Sequence, residues 1–384
     1  MKLRSIETTP NPNSMKLNLD ESLAPGVAIT YTRESGANCP EPIEKLLAIP
    51  GVTSVFHLAD FLAIQRNPRI GWEGILSQAR AILEGGAASD ITPKAVKGED
   101  EHWGEVSVSV QYFRRIPMLV KVSSGDNLLR VPLPDRFAEA LKRAMGASKN
   151  MLLERTWRDQ GVRYGDLQEV GNAVVREISA IFTDKKLDAL VEQAYRPDTA
   201  EPERARPSPE ELARKLDSPD WAERFAALEE IGRTASPRID AWALSLIIRA
   251  TKDPKPAIRR AAVVYLGLVK TPEVLAPLCE TLKDPAVGVR RSAGDALTDL
   301  GDPRAMGPMI ETLKDPNKLV RWRAGRFLYE LGDASALPAL REAQHDPEFE
   351  VAMQIGHAIE RIESGRGAQG PLWQQMPRNT DGGT

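Results

Sequence analysis

Cysteine is almost absent from this chain, which has two in 384 residues, Cys39 and Cys279. Two thiols cannot build the disulfide framework of a small secreted domain, so a cytoplasmic location is the simplest expectation. Nor can they supply the four thiolates that an iron–sulfur cluster usually takes. The sequence therefore predicts neither a disulfide-stapled fold nor a cluster of its own.

Long apolar runs are also missing. The longest, Ala241–Ile248, is far shorter than the roughly 20 residues of a membrane-spanning helix. The opening "MKLRSIETTPNPN" has no apolar segment of the secretory kind. The formal net charge of -3 argues against a polybasic membrane anchor and a strongly basic nucleic-acid binder. We expect no membrane partner, and nucleic acid is disfavoured.

Familiar catalytic motifs are absent as well. The sequence contains no phosphate-binding G-x-x-x-x-G-K-[ST] loop, dinucleotide fingerprint, H-E-x-x-H or G-x-S-x-G. His57 and Asp60 flank a predicted turn, but two ligands are too few for a metal site, so we expect a surface turn there. The sequence predicts no catalytic residue and no cofactor.

A repeat with a period of 31 residues occupies the C-terminal part. Apolar residues at helical spacing predict two helices per period, and such pairs stack into an α-solenoid. The period is marked by an Asp-Pro pair at Asp253-Pro254, Asp284-Pro285, Asp315-Pro316 and Asp346-Pro347.

The unit "VRRSAGDALTDLGDPRAMGPMIETLKD", Val289–Asp315, resembles the short HEAT-like repeats of the phycobilin lyase family. The resemblance implies a fold and little about function, because these repeats occur in many unrelated proteins. HEAT-like di-iron hydroxylases carry His-Glu pairs, and this chain has none. That enzymatic interpretation is therefore disfavoured.

Two polar, Pro- or Gly-rich breaks, Gly85–Glu101 and Arg196–Glu211, divide the chain. In the middle block, alternating valines after residue 105 predict a small sheet, and helical segments follow it as far as Ala194. The predicted fold is two small α+β domains followed by an all-α HEAT-like α-solenoid. The predicted domains are residues 1–86, 102–195 and 209–363, with a flexible tail at 364–384.

The first block resembles the N-terminal domain of Nfu/NifU-type iron–sulfur scaffold proteins. The residues on which this resemblance rests are "TPNPNSMKL" (Thr9–Leu17), "IPGVTSVFHLADFLAI" (Ile49–Ile64) and Trp72. Those scaffolds hold their cluster with a Cys-x-x-Cys motif in a separate domain that this chain lacks, so the scaffold activity does not carry over. With "VSVSVQYFRRIPMLVKV", "RTWRDQGVRYGDL" and the repeats, the whole chain resembles the conserved virulence factor C family.

The stretch "TTPNPNSMKL" predicts a stiff lead-in to the strand Met15–Leu19. Pro10 and Pro12 fix φ and favour extended conformations at the residues before them. The asparagines and Ser14 can hydrogen-bond nearby backbone as turn residues.

Two groups of side chains are candidates for partner binding. In the repeats, Arg259, Arg290 and Arg321 are predicted to pair with the repeat aspartates. Their neighbours form a predicted ridge for an acidic partner or a phosphate backbone, namely Arg260, Arg291, Trp322 and Arg323. The second group lies in the middle block and consists of aromatic and arginine residues, which are enriched at binding hot spots. Its members are Trp157, Arg158, Arg163 and Tyr164. The alternative for this second group is a helix end packed on the sheet.

Cys39, in "GANCPEP", is a candidate for a metal or redox site, with an ordinary loop cysteine as the favoured alternative. Cys279 lies on the apolar stripe of a repeat helix and is predicted to be core.

We therefore predict a cytoplasmic adaptor that binds protein partners through its repeats. The resemblance alone implies a link to iron–sulfur or redox homeostasis and to virulence. One alternative is a lyase-like enzyme or small-molecule-handling protein, with the ligand between the middle block and the repeats. Another is nucleic-acid binding along the arginine ridge. The oligomeric state is left open.

Overall fold

The computed structural model describes residues 1–9, 11, 13–24, 27–33, 39–67, 70–84, 105–125, 127–196, 207–234 and 240–365. The chain divides into two compact units. One combines 1–103 with 301–384, and the other is 104–300. Pro10, Pro12, the first break at 85–101, residues 197–206 of the second and the predicted tail from 366 onward lie outside the described residues.

The first unit begins with a five-stranded antiparallel sheet in the order β1-β2-β5-β4-β3. Its elements are β1 (Leu3–Thr8), β2 (Ser14–Leu19), β3 (Ala28–Thr32), α1 (Glu41–Ala48), β4 (Val52–Leu58), β5 (Phe61–Arg66) and α2 (Trp72–Glu84). The turn predicted between His57 and Asp60 joins β4 and β5 as a hairpin, since Leu58 pairs with Phe61 across it. The strand β1 was not predicted.

The second unit begins with a four-stranded antiparallel sheet in the order β8-β7-β6-β9. Its elements are β6 (Glu105–Phe113), β7 (Ile116–Ser124), β8 (Asn127–Pro132), α3 (Asp135–Ala144), β9 (Arg155–Tyr164), α4 (Leu167–Ile181) and α5 (Asp184–Ala194). All three helices contact β7. The inward-facing Val106, Val108 and Val110 are at most 1% exposed.

The strand β9 corrects the prediction that only helices follow the first three strands. "RTWRDQGVRY" is rich in charge and contains a glycine, and both features obscure its β-forming Thr, Trp, Val and Tyr residues. The strand pairs with β6 along its length, with a register shift between Ser107 and Ser109. Gly161 lies at this irregularity with φ +75°, a conformation that favours glycine.

Helical repeats complete both units, so the predicted fold class is confirmed. The second unit ends with α6 (Pro209–Lys215), α7 (Trp221–Thr234), α8 (Ala241–Ala250), α9 (Pro256–Leu268), α10 (Leu275–Thr281) and α11 (Val287–Leu300). The first unit ends with α12 (Met306–Thr312), α13 (Lys318–Leu331), α14 (Leu337–Ala343) and α15 (Phe349–Ser364). Among the residues described, no helix has the length and apolar character needed to cross a membrane.

The repeat arginines bind the repeat aspartates in a recurring bidentate pair. Arg259 places Nε and Nη2 at 2.6 and 2.8 Å from the two carboxylate oxygens of Asp284. Its Nη1 also donates to the Asp253 carbonyl at 2.8 Å. Burial alone would raise the pKa of Asp284, but the hydrogen bonds from Arg259 and the Ala286 N–H outweigh it and lower that pKa.

The same bidentate pair joins Arg321 to Asp346, so the predicted pairing is confirmed for Arg259 and Arg321. Arg224 and Asp253 form a further copy that was not predicted. Arg290 donates to the Asp284 carbonyl at 2.9 Å.

Arg259→Lys is expected to lower the free energy of unfolding by about 1–3 kcal/mol, because a lysine keeps the charge but cannot make the planar bidentate contact. The matched control is Arg341→Lys, whose partner Glu363 is about half exposed (46%). That change should cost less than about 0.5 kcal/mol. Urea unfolding measures both, and equal losses would contradict the role assigned to the buried pair.

Candidate functional site

In each unit a repeat helix contacts an α+β domain. In the second unit, α4 packs against α7, and in the first, α15 packs against α2. Charged side chains lie at both contacts. We call them the Glu177 junction and the Arg66 junction after their central residues.

At the Glu177 junction, one carboxylate accepts from two arginines on different elements. Arg163 of β9 places Nη2 at 3.1 Å from one oxygen, and Arg260 of α9 places Nη2 at 3.4 Å from the other. The Glu177 side chain is only 13% exposed. Charged side chains therefore join the middle domain to the repeats where α4 packs against α7.

A second carboxylate belongs to the same cluster. Glu229 of α7 interacts electrostatically with the hydroxyl of Tyr265 on α9. A Cβ at Gly232 would lie 2.3 Å from the Tyr265 ring, so only glycine leaves room for the tyrosine at this point of α7. Burial raises the pKa of both Glu177 and Glu229, against the opposing charge of Arg163. Burial and Glu229 also raise the pKa of Tyr265.

Sequence reasoning did not select Glu177, Glu229 or Tyr265, although a signal existed. Glu177 lies seven residues after the buried Val170 and three after the buried Val174. A carboxylate therefore occupies the apolar stripe of α4. Glu229 likewise follows the buried Phe225 at i+4. A carboxylate at a core position of an amphipathic helix predicts a buried partner.

The predicted arginine ridge does not lie open in this unit. Arg260 binds Glu177, and the Arg291 guanidinium lies 3.2 Å from the centroid of the Tyr164 ring. Arg291 is 8% exposed. The structure thus places two repeat residues of the predicted ridge against Arg163, Tyr164 and Glu177 of the chain's own middle domain.

Two further ridge residues are interior residues of the first unit. Trp322 on α13 is 1% exposed and Arg323 is 7% exposed. The Arg323 guanidinium lies 4.9 Å from the Trp322 ring centroid. The sequence predicts them as ridge residues because they immediately follow the repeat arginine. The spacing alone does not show that neighbouring elements bury them.

Trp157 and Arg158 lie on the exposed part of β9. Trp157 is 42% exposed and pairs across the sheet with Gln111. The Lys121 ammonium lies 4.6 Å from its ring centroid. Arg158 points to the opposite face of the strand, with its guanidinium 4.9 Å from the Tyr112 ring. A strand, rather than the helix end weighed as the alternative, therefore positions these two side chains.

At the Arg66 junction, a single buried guanidinium contacts four groups. Its Nη1 donates to Glu350 Oε1 of α15 at 2.7 Å and to the Ile70 carbonyl at 3.0 Å. Its Nε lies 3.3 Å from Asn13 Oδ1, and its Cζ lies 4.9 Å from the Trp72 ring. The Arg66 side chain is 1% exposed.

Asn13 links this junction to the stretch "TTPNPNSMKL". The Asn13 carbonyl accepts the Arg66 N–H at 3.0 Å, and its own N–H donates to Asn11 Oδ1 at 2.8 Å. The Thr9 hydroxyl lies 2.9 and 3.0 Å from the carbonyl oxygens of Asn11 and Ser14. The described residues of this loop are therefore cross-linked by hydrogen bonds, and Asn13 orients the buried arginine.

The remaining candidates are two cysteines and a histidine. Burial, with a smaller effect of Glu44, raises the pKa of the Cys39 thiol, which disfavours the thiolate. Cys279, predicted to be core, is only half-buried. The predicted surface turn is present and Asp60 is exposed there, but His57 lies in the strand before it and is 5% exposed. Burial lowers the pKa of His57. Within the described ranges, no three His, Cys, Asp or Glu side chains are grouped to hold a metal ion.

Glu229→Gln is expected to flatten the pH dependence of stability. Because the folded protein raises the pKa of Glu229, its contribution to stability is full below about pH 4.3 and is lost as pH rises through the raised pKa. Glutamine keeps an acceptor for Tyr265 and never ionises. Thermal unfolding between about pH 4.5 and 8 should show a smaller decline for the variant. Exposed Glu192→Gln is the control, and superimposable curves for Glu229→Gln and wild type would refute this assignment.

Glu350→Gln is expected to cost about 2–4 kcal/mol of unfolding free energy, because it removes the carboxylate charge that the buried Arg66 guanidinium contacts at 2.7 Å. Hydrogen exchange in α15 and β5 should accelerate together. Glu41→Gln removes an exposed carboxylate from a pair with Lys45 and serves as control, with an expected loss below about 0.5 kcal/mol. Acceleration confined to α15 would show that the two elements are not coupled.

Comparison with known proteins gives three family matches. A family model described as "Scaffold protein Nfu/NifU N terminal" matches residues 4–90, and one described as "Virulence factor" matches residues 111–191. A model described as "HEAT repeats" matches residues 209–297 and 277–360. These matches confirm the resemblances drawn from the motifs.

Relatives match over nearly the whole chain. The protein YpgR of Bacillus subtilis is 48% identical over 378 residues, covering 98% of each chain. The Staphylococcus haemolyticus protein named "Conserved virulence factor C" is 44% identical, covering 98% of this chain and 99% of its own. Staphylococcus aureus proteins of the same name are 42% identical over 381 residues, covering 99% of this chain and 100% of their own.

Two solved structures resemble parts of the chain. The crystal structure of Staphylococcus aureus protein SAV1430 is 37% identical, covering 22% of this chain and 100% of that protein, with a TM-score of 0.21. The complex of CpcE and CpcF of phycocyanin lyase from Nostoc is 20% identical, covering 44% of this chain and 69% of that one, with a TM-score of 0.35.

Proposed function

The chain belongs to the conserved virulence factor C family, and we propose that it is a cytoplasmic adaptor that binds a protein partner. Helical repeats are common in proteins whose task is binding. In this chain the repeats also contact the α+β domains at the two junctions. We take this contact to stabilise the domains, which supports a role in presenting a binding surface. We retain the division into domains at 1–86, 102–195 and 209–363 as part of the proposal.

One observation carries the proposal, the exposed apolar side chains on one face of the four-stranded sheet. The helices α3, α4 and α5 pack on the face that carries the buried valines. The opposite face presents Trp157, Val162 and Leu128, which are 42%, 45% and 54% exposed. Tryptophan is enriched at binding hot spots, so the exposed Trp157 is the anchor of the proposed surface. We call this surface the open face.

The chemistry of the open face suits a protein better than a small molecule. Small ligands bind in concave pockets, whereas this face is one side of a sheet. It carries both signs of charge, with Lys121 and Arg130 on one side and Asp159 on the other. Mixed charge around an apolar anchor is typical of the rim of a protein interface.

The Glu177 junction supports the adaptor over the lyase-like alternative. An enzyme needs titratable groups that remain available to a substrate. Glu177 is already bound by Arg163 and Arg260, and Glu229 by Tyr265. These groups therefore act within the chain. The link to iron–sulfur or redox homeostasis rests on the Nfu-like domain alone.

The proposal is tested by site-specific photo-crosslinking in living cells. A photoreactive residue replaces Ser109, which pairs with Lys121 and Asp159 on the open face. The host is Bacillus subtilis lacking its 48%-identical relative. We expect a discrete protein adduct that disappears when Trp157→Ala is added, because the indole is the predicted anchor.

The control places the same photoreactive residue at exposed Glu139 on α3, on the opposite side of the sheet. It should not give the same adduct. An adduct formed equally from both positions, or one that survives Trp157→Ala unchanged, would contradict the open face as the binding surface.

A further inference from the structure

We propose that the partner contributes an extended, acidic segment that pairs with β9 as a fifth strand of the sheet. This inference rests on the proposed function, because it names the chemistry of the partner at the open face. It concerns the backbone edge of the sheet, whereas the proposed function concerns the side chains of its face.

The position of β9 makes strand addition geometrically available. Among the strands that the structure describes, in the order β8-β7-β6-β9, β9 lies at an edge and pairs with β6. It spans ten residues, and Thr156 through Val162 are all exposed. An edge strand offers unpaired backbone N–H and C=O groups, which is the template used in recognition by strand addition.

The opposite edge of the same sheet is less suited to pairing. Its strand β8 has six residues and ends at Pro132, with Pro134 two residues later. Proline cannot donate a ladder hydrogen bond and is a common means of blocking an edge. The strand β9 contains no proline. The two edges therefore differ in a way that favours β9.

The part of β9 that can pair regularly is Arg155–Asp159. The register against β6 shifts after Asp159, and Asp159 Oδ1 accepts the Gly161 N–H at 2.9 Å. A bulge bends the strand and ends regular pairing. Five residues at about 3.4 Å each give a pairing length of about 17 Å. We therefore expect a partner segment of about five residues in the ladder.

Charge identifies the partner segment as acidic. Arg155 and Arg158 lie within the five residues, and Lys121 lies beside Trp157, against one acidic side chain, Asp159. Arg163 lies beyond the bulge and already pairs with Glu177. Opposite charges on directly paired strands are stabilising and like charges are destabilising. A strand rich in glutamate or aspartate thus pairs with β9 better than a basic one.

The inference is tested with synthetic peptides and the full-length protein. Three eight-residue peptides alternate valine with glutamate, glutamine or lysine, and each carries a fluorophore for anisotropy. We expect the glutamate peptide to bind about tenfold more tightly than the lysine peptide, with the glutamine peptide between them. Arg158→Glu should weaken the glutamate peptide by about fivefold or more, because it places like charges opposite each other.

Backbone pairing is tested separately by proline substitution at residues 156, 157, 158 and 159. In an edge strand, successive residues alternate between bonding the neighbouring strand and facing outward. In each consecutive pair, the proline at the outward-facing residue removes no bond to β6, so that variant should keep the wild-type Tm. We expect the same variant to lose binding of the peptide.

In the wild-type protein, the bound peptide should slow hydrogen exchange within residues 155–159.

The inference is overturned by equal binding of the glutamate and lysine peptides, by protection that appears at β8 instead, or by peptide affinity unchanged in the proline variants that keep the wild-type Tm. Concentration-dependent dimerisation blocked by those same variants would assign the edge to a second copy of the chain. If the peptides fail while the Ser109 crosslink still depends on Trp157, the strand-addition inference falls and the proposed function stands.

Discussion

Pairs of a buried arginine with a carboxylate recur at each level of the structure. Within the repeats, Arg259 and Arg321 bind the aspartate of the next Asp-Pro turn in bidentate geometry. Between a repeat helix and a domain, Glu350 binds Arg66, whose side chain is 1% exposed. Removing either partner of such a pair leaves an uncompensated charge in a poorly solvated place, so the pairs specify which elements meet.

The second column of repeat arginines shows how a surface that resembles a binding site becomes part of the fold. Arg260 and Arg291 bind Glu177 and Tyr164 of the middle domain. In a chain with fewer domains, the same residues would offer an exposed basic surface. Here these arginines contact the middle domain of the same chain. The open face, with Trp157, is therefore the proposed surface for an external partner.

Periodic features of the fold were predictable from the sequence, and features that depend on distant contacts were not. The 31-residue period predicted the helical pairs and the pairing of Arg259 and Arg321, because the pattern repeats locally. The strand β9 was missed because its charges and Gly161 mask a strand whose stability comes from pairing with β6. Burial of Trp322 and of His57 depends on neighbours that no local pattern reveals. Glu177 and Glu229 carried a readable signal, a carboxylate on an apolar helical stripe.

The central claim is that buried arginine–carboxylate pairs couple the repeat helices to the α+β domains. A double-mutant cycle on Arg66 and Glu350, with Arg66→Met and Glu350→Gln alone and together, tests it most directly, because the cycle cancels the other contacts of Arg66. We predict a coupling energy of about 2 kcal/mol or more in urea unfolding, as for a hydrogen-bonded pair removed from water. A coupling energy below about 0.5 kcal/mol, the range of exposed ion pairs, would contradict the account.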